Sequence, residues 1–159
     1  MKIVRAMKER SRLEGEIKDI KHRMQQCLNA IVGNQFQENY TDLWKNLSDR
    51  VNKLAKLKLA VMKANQDGGA FQHILHLGEL KSYIAFLKEL EVKSGKQEHR
   101  YSDSILEYSS QLTEKGRLAS IRATQQEINR ITDLLDEFNA KTDIGEIEEV
   151  ALSLPMIED

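Results

Sequence analysis

Over its first 33 residues the chain places Ile3, Ala6, Arg10, Leu13, Ile17, Ile20, Met24, Cys27 and Ile31 at intervals alternating between three and four. That alternation averages 3.5 residues, the narrow seam of a helix that packs against another helix along its whole length. The positions between are charged, among them Lys8, Glu9, Arg12, Glu14, Glu16 and Lys18. Gly33-Asn34 supplies a stop signal. Thirty such residues make a rod of about 45 Å. A rod of that shape cannot bury its own seam, so the sequence demands a partner helix.

The same pattern returns after a short connection. Trp44, Leu47, Val51, Leu54, Lys58 and Val61 again repeat by three and four, with Leu43, Leu57 and Leu59 widening the apolar face. The repeat predicts a second helix over residues 41–65, with Thr41 or Asp42 as its cap. The short connection predicts an antiparallel hairpin, and the widened face predicts contact with further helices, including those of other copies. The seam residues singled out are Ile3, Leu13, Ile17, Ile20 and Met24 on the first helix. On the second they are Trp44, Leu47, Val51, Leu54 and Val61. Arg10 is expected to pack by its stem. Asn65, at the end of the second seam, is read as a polar register residue.

Asp67-Gly68-Gly69 then marks a turn. A third helix is predicted over residues 76–93, with Leu77, Leu80, Ile84, Leu87 and Leu90 inward. A fourth is predicted over residues 113–140, with Leu118, Ile121, Gln125, Ile128, Leu135 and Phe138 inward. Between them the helical period is lost. Residues 101–108 read as an extended segment, expected to pair with residues around 71–75. The tail from Asp143 holds six acidic residues and no Lys or Arg, and is expected to be loose or to dock on a partner. The domain reading is a helical domain over 1–142, made of hairpins 1–65 and 66–142, followed by the acidic tail 143–159.

Composition supports helices. The chain contains one proline in 159 residues, and Ala, Leu, Glu, Lys and Arg together make up 44% of it. Its net charge of -1 conceals a division: residues 1–65 carry 14 Lys+Arg against 7 Asp+Glu, whereas residues 66–159 carry 10 against 18. Such asymmetry favours charge complementarity within the chain or between copies, with an anionic partner for the basic part as the alternative. No apolar run approaches the roughly 18–20 residues of a membrane span, so no integral membrane association is expected. The charged opening, Met1-Lys2-Ile3-Val4-Arg5, lacks the apolar stretch of a signal peptide, and one cysteine excludes an internal disulfide framework. Both point to the cytoplasm.

Chemistry-bearing clusters are sparse. His73, His76 and Glu79 are spaced by three, but the His-Glu-x-x-His pattern and any cysteine pair are missing. Cys27 falls on the seam, where a buried small hydrophobe is expected rather than a nucleophile. Gly68-Gly69 matches neither a phosphate loop nor a dinucleotide fingerprint. His99-Arg100-Tyr101-Ser102-Asp103-Ser104 is a dense polar run in the irregular region. His99, Arg100, Tyr101, Ser102 and Ser104 are therefore kept as a candidate binding surface. No catalytic residue, metal site or cofactor is assigned, and no small-molecule substrate is predicted.

The chain resembles the septicolysin-like family of small bacterial helical proteins over most of residues 1–140. The likeness rests on Arg10-Ser-Arg-Leu-Glu-Gly-Glu-Ile17, Val61-Met-Lys-Ala-Asn-Gln-Asp-Gly68 and Leu80-Lys-Ser-Tyr-Ile-Ala-Phe-Leu-Lys-Glu-Leu90. Tyr101-Ser102-x-Ser104 and Leu134-Leu-Asp-Glu-Phe-Asn139 complete it. The chain departs from that pattern in its acidic tail, in Ala140 and in lacking a Thr cap before the third helix. The resemblance implies the helical fold and, by its label, a membrane-active cytolysin.

The resulting expectation is a mainly α protein of long antiparallel, coiled-coil-like helical hairpins, about four helices in all. A small irregular or β element is expected around residues 66–75 and 97–110. The function class expected is a non-enzymatic homo-oligomeric scaffold or interaction protein. The alternatives are a nucleic-acid binder using Lys45, Arg50, Lys53, Lys56 and Lys63, and the cytolysin.

Overall fold

The computed structural model describes residues 1–99, 102–146, 152 and 154–157; for 98, 99 and 102–104 it describes the backbone alone. Four helices and two strands follow in the order α1 (Ile3–Cys27), α2 (Tyr40–Asp67), α3 (Ala70–Glu89), β1 (Gly95–His99), β2 (Ser102–Tyr108) and α4 (Glu114–Lys141). The chain divides into two compact units. The first comprises Met1–Ala70 with Asp136–Asp159, and the second comprises Phe71–Leu135.

In the first unit α1 and α2 form an antiparallel hairpin, closed by two apolar clusters. Ile3, Ala6 and Leu13 meet Leu57, Ala60 and Ile144 in one. Ile17, Ile20 and Cys27 meet Leu43 and Leu47 in the other. Met24, Val51 and Leu54 border the second cluster, and Val61 and Phe138 border the first. Burying a residue of this size contributes roughly 1.5–3 kcal/mol, so the clusters dominate the hairpin's stability.

Helix α1 stops at Cys27 rather than running on to Gly33. The seam spacing continues to Ile31, but α2 begins only at Tyr40 and offers nothing opposite. Ile31 is 77% exposed and Val32 fully so. On α2 the inward position is Leu43, with Trp44 half-buried beside it, and the lower seam passes through Leu57 and Ala60 rather than Lys58. Lys58 is exposed and reaches Glu14 at 3.2 Å, while Arg10 is exposed and pairs with Glu14 at 3.0 Å. Asn65 is half-buried, and its Oδ1 meets no hydrogen-bond donor among the described residues. The α2 cap is Asn39, whose Oδ1 accepts from the Asp42 amide at 3.2 Å, two residues ahead of the expected Thr41.

Helix α1 lacks a side-chain cap. The chain leaving α4 supplies the missing acceptor. The Ile3 amide donates to the Thr142 carbonyl at 3.0 Å, and the Ile144 amide donates to the Met1 carbonyl at 2.8 Å. Lys2 Nζ donates to the Lys141 carbonyl and to Asp143 Oδ2, each at 2.7 Å. Ile144 is buried, the Leu152 amide donates to Asn52 Oδ1 at 3.0 Å, and Leu154 borders the second cluster. The described part of the tail thus packs on the α1–α2 hairpin, because its interspersed Ile and Leu cover apolar edges the two helices leave open.

Gly68 ends α2 under a steric constraint. A Cβ placed there would lie 2.4 Å from Phe138 Cε2 and 3.1 Å from the Ala64 carbonyl. Gly69 follows with φ +74, a left-handed conformation suited to glycine. The turn is so tight that α3 begins at Ala70, six residues before the expected start.

In the second unit, Arg117 near the start of α4 donates to the Leu87 carbonyl at 2.9 Å, near the end of α3. The start of α4 thus lies at the end of α3. Arg117 also pairs with Glu114, which orients the guanidinium onto the α3 C-terminus, the favourable end for a cation. Ile84 and Leu87 are buried on α3, and Thr124, Ile128 and Ile131 on α4. On α4 the inward frame includes Thr124 and Ile131, whereas Leu118 and Gln125 are exposed.

Strands β1 and β2 pair antiparallel from Gly95↔Tyr108 to His99↔Ser102, with an irregularity between Glu98 and His99. The expected pairing of residues 101–108 with 71–75 is corrected: residues 71–75 are helical and β2 pairs with β1. Helix α3 takes that segment because its apolar residues extend a continuous helix from the Gly69 turn.

Two glycine substitutions should move stability in opposite directions. Gly68→Ala should destabilise by about 1–3 kcal/mol through overpacking against Phe138. Gly15→Ala, in mid-α1 where nothing lies within 4 Å of a Cβ, should stabilise by roughly 0.5–1 kcal/mol. Urea denaturation measures both.

Candidate functional site

Two surfaces depart from the ordinary mixed surface of a helical protein. The first lies on one face of the α1–α2 hairpin. Arg5, Lys8 and Arg12 recur on α1 at intervals of three and four, and Lys53 and Lys56 lie three apart on α2. Together with Met1, Glu9, Leu13 and Leu57 they line a groove of about 700 Å³. Arg12 Nε donates to Glu9 Oε2 at 2.9 Å and its Nη1 to Glu16. Glu9 is held below the ordinary carboxylate range, chiefly by that hydrogen bond from Arg12. Further along the hairpin, Arg50 Nε lies 2.9 Å from Glu16 Oε2, and Arg23 pairs with Glu38.

These contacts split the basic face read from the sequence. Of Lys45, Arg50, Lys53, Lys56 and Lys63, Arg50 is engaged with Glu16, and Lys53 and Lys56 line the groove. The α1 cations of that groove were missed in the sequence, although their three-and-four spacing was a visible signal. What the spacing does not reveal is that the two stripes straddle one gap.

The second surface is α3 in the second unit. Ile84 and Leu87 occupy one side of it. Phe71, Ile74, Leu75 and Phe86 fall on the opposite side, 46%, 40%, 56% and 54% exposed, with Tyr83 at their edge stacked on Phe86. Gly78 and Ser82 lie between them, and nothing occupies the space within 4 Å of a Cβ at Gly78. A helix apolar on all sides is normally covered on all sides.

The seam residues have a clear location. Ile3, Leu13, Ile17, Ile20 and Leu47 are buried between α1 and α2, while Met24, Trp44, Val51, Leu54 and Val61 are half-buried. They are brought together within the hairpin. Cys27 is a buried free thiol beside Leu43 and Leu47. His73, His76 and Glu79 are exposed, and among the described residues no three His, Cys, Asp or Glu side chains converge as metal ligands. Of the polar run, Arg100 and Tyr101 lie outside the described residues, as do the side chains of His99, Ser102 and Ser104. Among the described residues no helix is long and apolar enough to cross a membrane.

No protein-family model matches the chain, and no curated protein matches it. Among solved structures it is similar to a functionally unknown conserved protein from Corynebacterium diphtheriae, at a TM-score of 0.74 and 14% identity. The match covers 91% of this chain and 99% of that one. At that identity the likeness concerns the fold alone.

The Arg12–Glu9 pair has a definite pH signature. Because the Glu9 pKa is depressed in the fold, the pair persists above its ordinary value of 4.5 and is lost as pH falls through the lower folded value. Carboxyl NMR should place the Glu9 midpoint below 4.5, and Arg12→Ala should return it towards 4.5. An unchanged midpoint in the variant would refute the assignment.

Proposed function

We propose that the protein is a non-enzymatic helical interaction protein that pairs with a second copy of itself through the bare face of α3. The observation that carries this reading is the run of half-exposed apolar side chains, Phe71, Ile74, Leu75, Tyr83 and Phe86, on one helix. Aromatic side chains present about 150–250 Å² each, so five half-exposed large side chains leave on the order of 400 Å² of apolar area. That equals the largest apolar patch of a typical monomer, about 300–600 Å², which is often functional.

The area suits a two-fold pair. Phe71, Leu75 and Phe86, which share one side of the helix, would together bury about 500 Å² of apolar surface across two copies, roughly 900 Å² in total at the usual apolar share, the scale of a weak interface. In an antiparallel arrangement Leu75 of one copy faces Ser82 of the other, and Phe71 faces Phe86. In that register Gly78 of one copy leaves room for Glu79 of the other. A two-fold contact of this kind closes on itself and needs no further copies. The oligomer expected from the seams is thereby moved to a different surface, since α1 and α2 cover their own seams. What supports the non-enzymatic reading is that Glu9, the carboxylate lining the groove, is held in a hydrogen bond with Arg12.

Light scattering at tens of micromolar should give twice the chain mass. Leu75→Lys and Phe86→Lys, both at exposed positions, should each give the monomer with unchanged helical content. A monomeric parent protein at that concentration refutes the reading.

A further inference from the structure

The tail is fastened to the hairpin in two unequal ways. At residues 142–144 it is fixed: the Thr142 carbonyl and the Ile144 amide bond the backbone of Ile3 and Met1, and Ile144 is 5% exposed. At residues 152–157 the hold is shallow. The Leu152 amide donates to Asn52 Oδ1 at 3.0 Å, and Leu154 is half-buried against the cluster that holds Ile20 and Leu43. Ile157 lies beside Met24, Leu28 and Tyr40 in a groove of about 330 Å³. Leu152, Met156 and Ile157 remain 40%, 39% and 79% exposed. The groove's walls are surface rather than core, since Leu28 is exposed and Met24 and Tyr40 are half-buried.

We propose that this strip of the hairpin is a docking groove for an extended segment of a partner protein, and that residues 152–157 are a releasable strap occupying it in the partner's absence. The strap displays the chemistry that the groove takes. Residues 154–157 are neither helix nor strand, and Pro155 holds Leu154 in the extended range. The Asn52 side-chain amide offers an acceptor and two donors, so it can read the main chain of an extended segment whatever side chains that segment carries. Leu154 and Ile157 add apolar anchors. Main-chain bonds supply affinity and spaced anchors supply selectivity, as in other modes of extended-peptide recognition. The partner segment is acidic at its flanks, because the tail from Asp143 holds six acidic residues and no Lys or Arg, while residues 1–65 carry 14 Lys+Arg against 7 Asp+Glu. The fixed contact at Ile144 keeps a displaced strap tethered, so it returns when the partner leaves. This groove takes no part in pairing through α3.

The test uses the full chain and a fluorescein-labelled peptide of residues 150–159, followed by anisotropy. The parent chain should bind it weakly, because a tethered strap competes at high effective concentration. Leu154→Asp, which puts a charge where the strap meets the cluster, should tighten binding by about tenfold or more with unchanged helical content. The variant L154D/N52A should then bind about three- to tenfold more weakly than Leu154→Asp, the effect of one main-chain hydrogen bond. Ile157→Asp, at an exposed position, should tighten binding in the same direction to a smaller extent. Phe86→Lys should leave the affinity unchanged, which separates this site from the α3 face.

Equal affinity of the parent and Leu154→Asp overturns the proposal, as does absence of binding to Leu154→Asp. If that variant loses helical content, Ile157→Asp decides in its place by the same two outcomes. A peptide carrying Asp in place of its Leu154 that binds equally well overturns it in favour of charge alone. A doubled mass of the Phe86→Lys variant that excess peptide reverses overturns it in favour of a second copy as the occupant.

Discussion

The antiparallel closure of α1 on α2 is the contact on which the first unit depends. A stripe spaced by three and four is too narrow to turn a helix into a globule and too long to leave wet. Facing a second helix of the same period, it buries Ile3, Ala6, Leu13, Ile17 and Ile20 against Leu43, Leu47, Leu57 and Ala60. The ion pairs Arg50–Glu16 and Lys58–Glu14 span the two helices at the surface. Exposed pairs of this type contribute about 0–1 kcal/mol each, so they align the helices rather than hold them.

Closure leaves two ends to resolve, and both are handled by chain that is distant in sequence. The uncapped start of α1 receives acceptors from residues beyond α4, and Asp143 is held below its ordinary pKa chiefly by the hydrogen bond from Lys2. Ile144, the Leu152 amide and Leu154 then tie the described part of the tail to the hairpin. In the second unit Arg117 plays a comparable part. It satisfies a carbonyl near the end of α3 while held by Glu114.

Local periodicity made much of this legible. The number and order of the four helices, the hairpin connecting the first two and the turn at Gly68-Gly69 follow from spacing and from glycine chemistry. The failures share a cause. Residues 28–31 keep the seam spacing yet leave the helix, because the partner helix has already ended. Residues 71–75 join α3, because a helix can start directly after the left-handed Gly69. Trp44 yields the inward place to Leu43, since both fit the period and only packing chooses between them. The α1 cations of the groove were visible as a spacing but not as a wall, because facing is a property of two helices together.

The sequence by itself determined that the chain is helical, that it turns at Gly68-Gly69 and which stripes must be covered, since those follow from period, glycine and the near absence of proline. It did not determine what covers them. Only the tertiary structure decided that α1 and α2 bury each other's seams and that Ile144 and Leu154 of the acidic tail pack on them. It also decided that the face of α3 carrying Phe71, Leu75 and Phe86 is the one left bare. Apolar side chains carry no address. Hydrophobic burial is non-directional, so the choice of partner rests on length, register and end contacts, which exist only once the chain has folded.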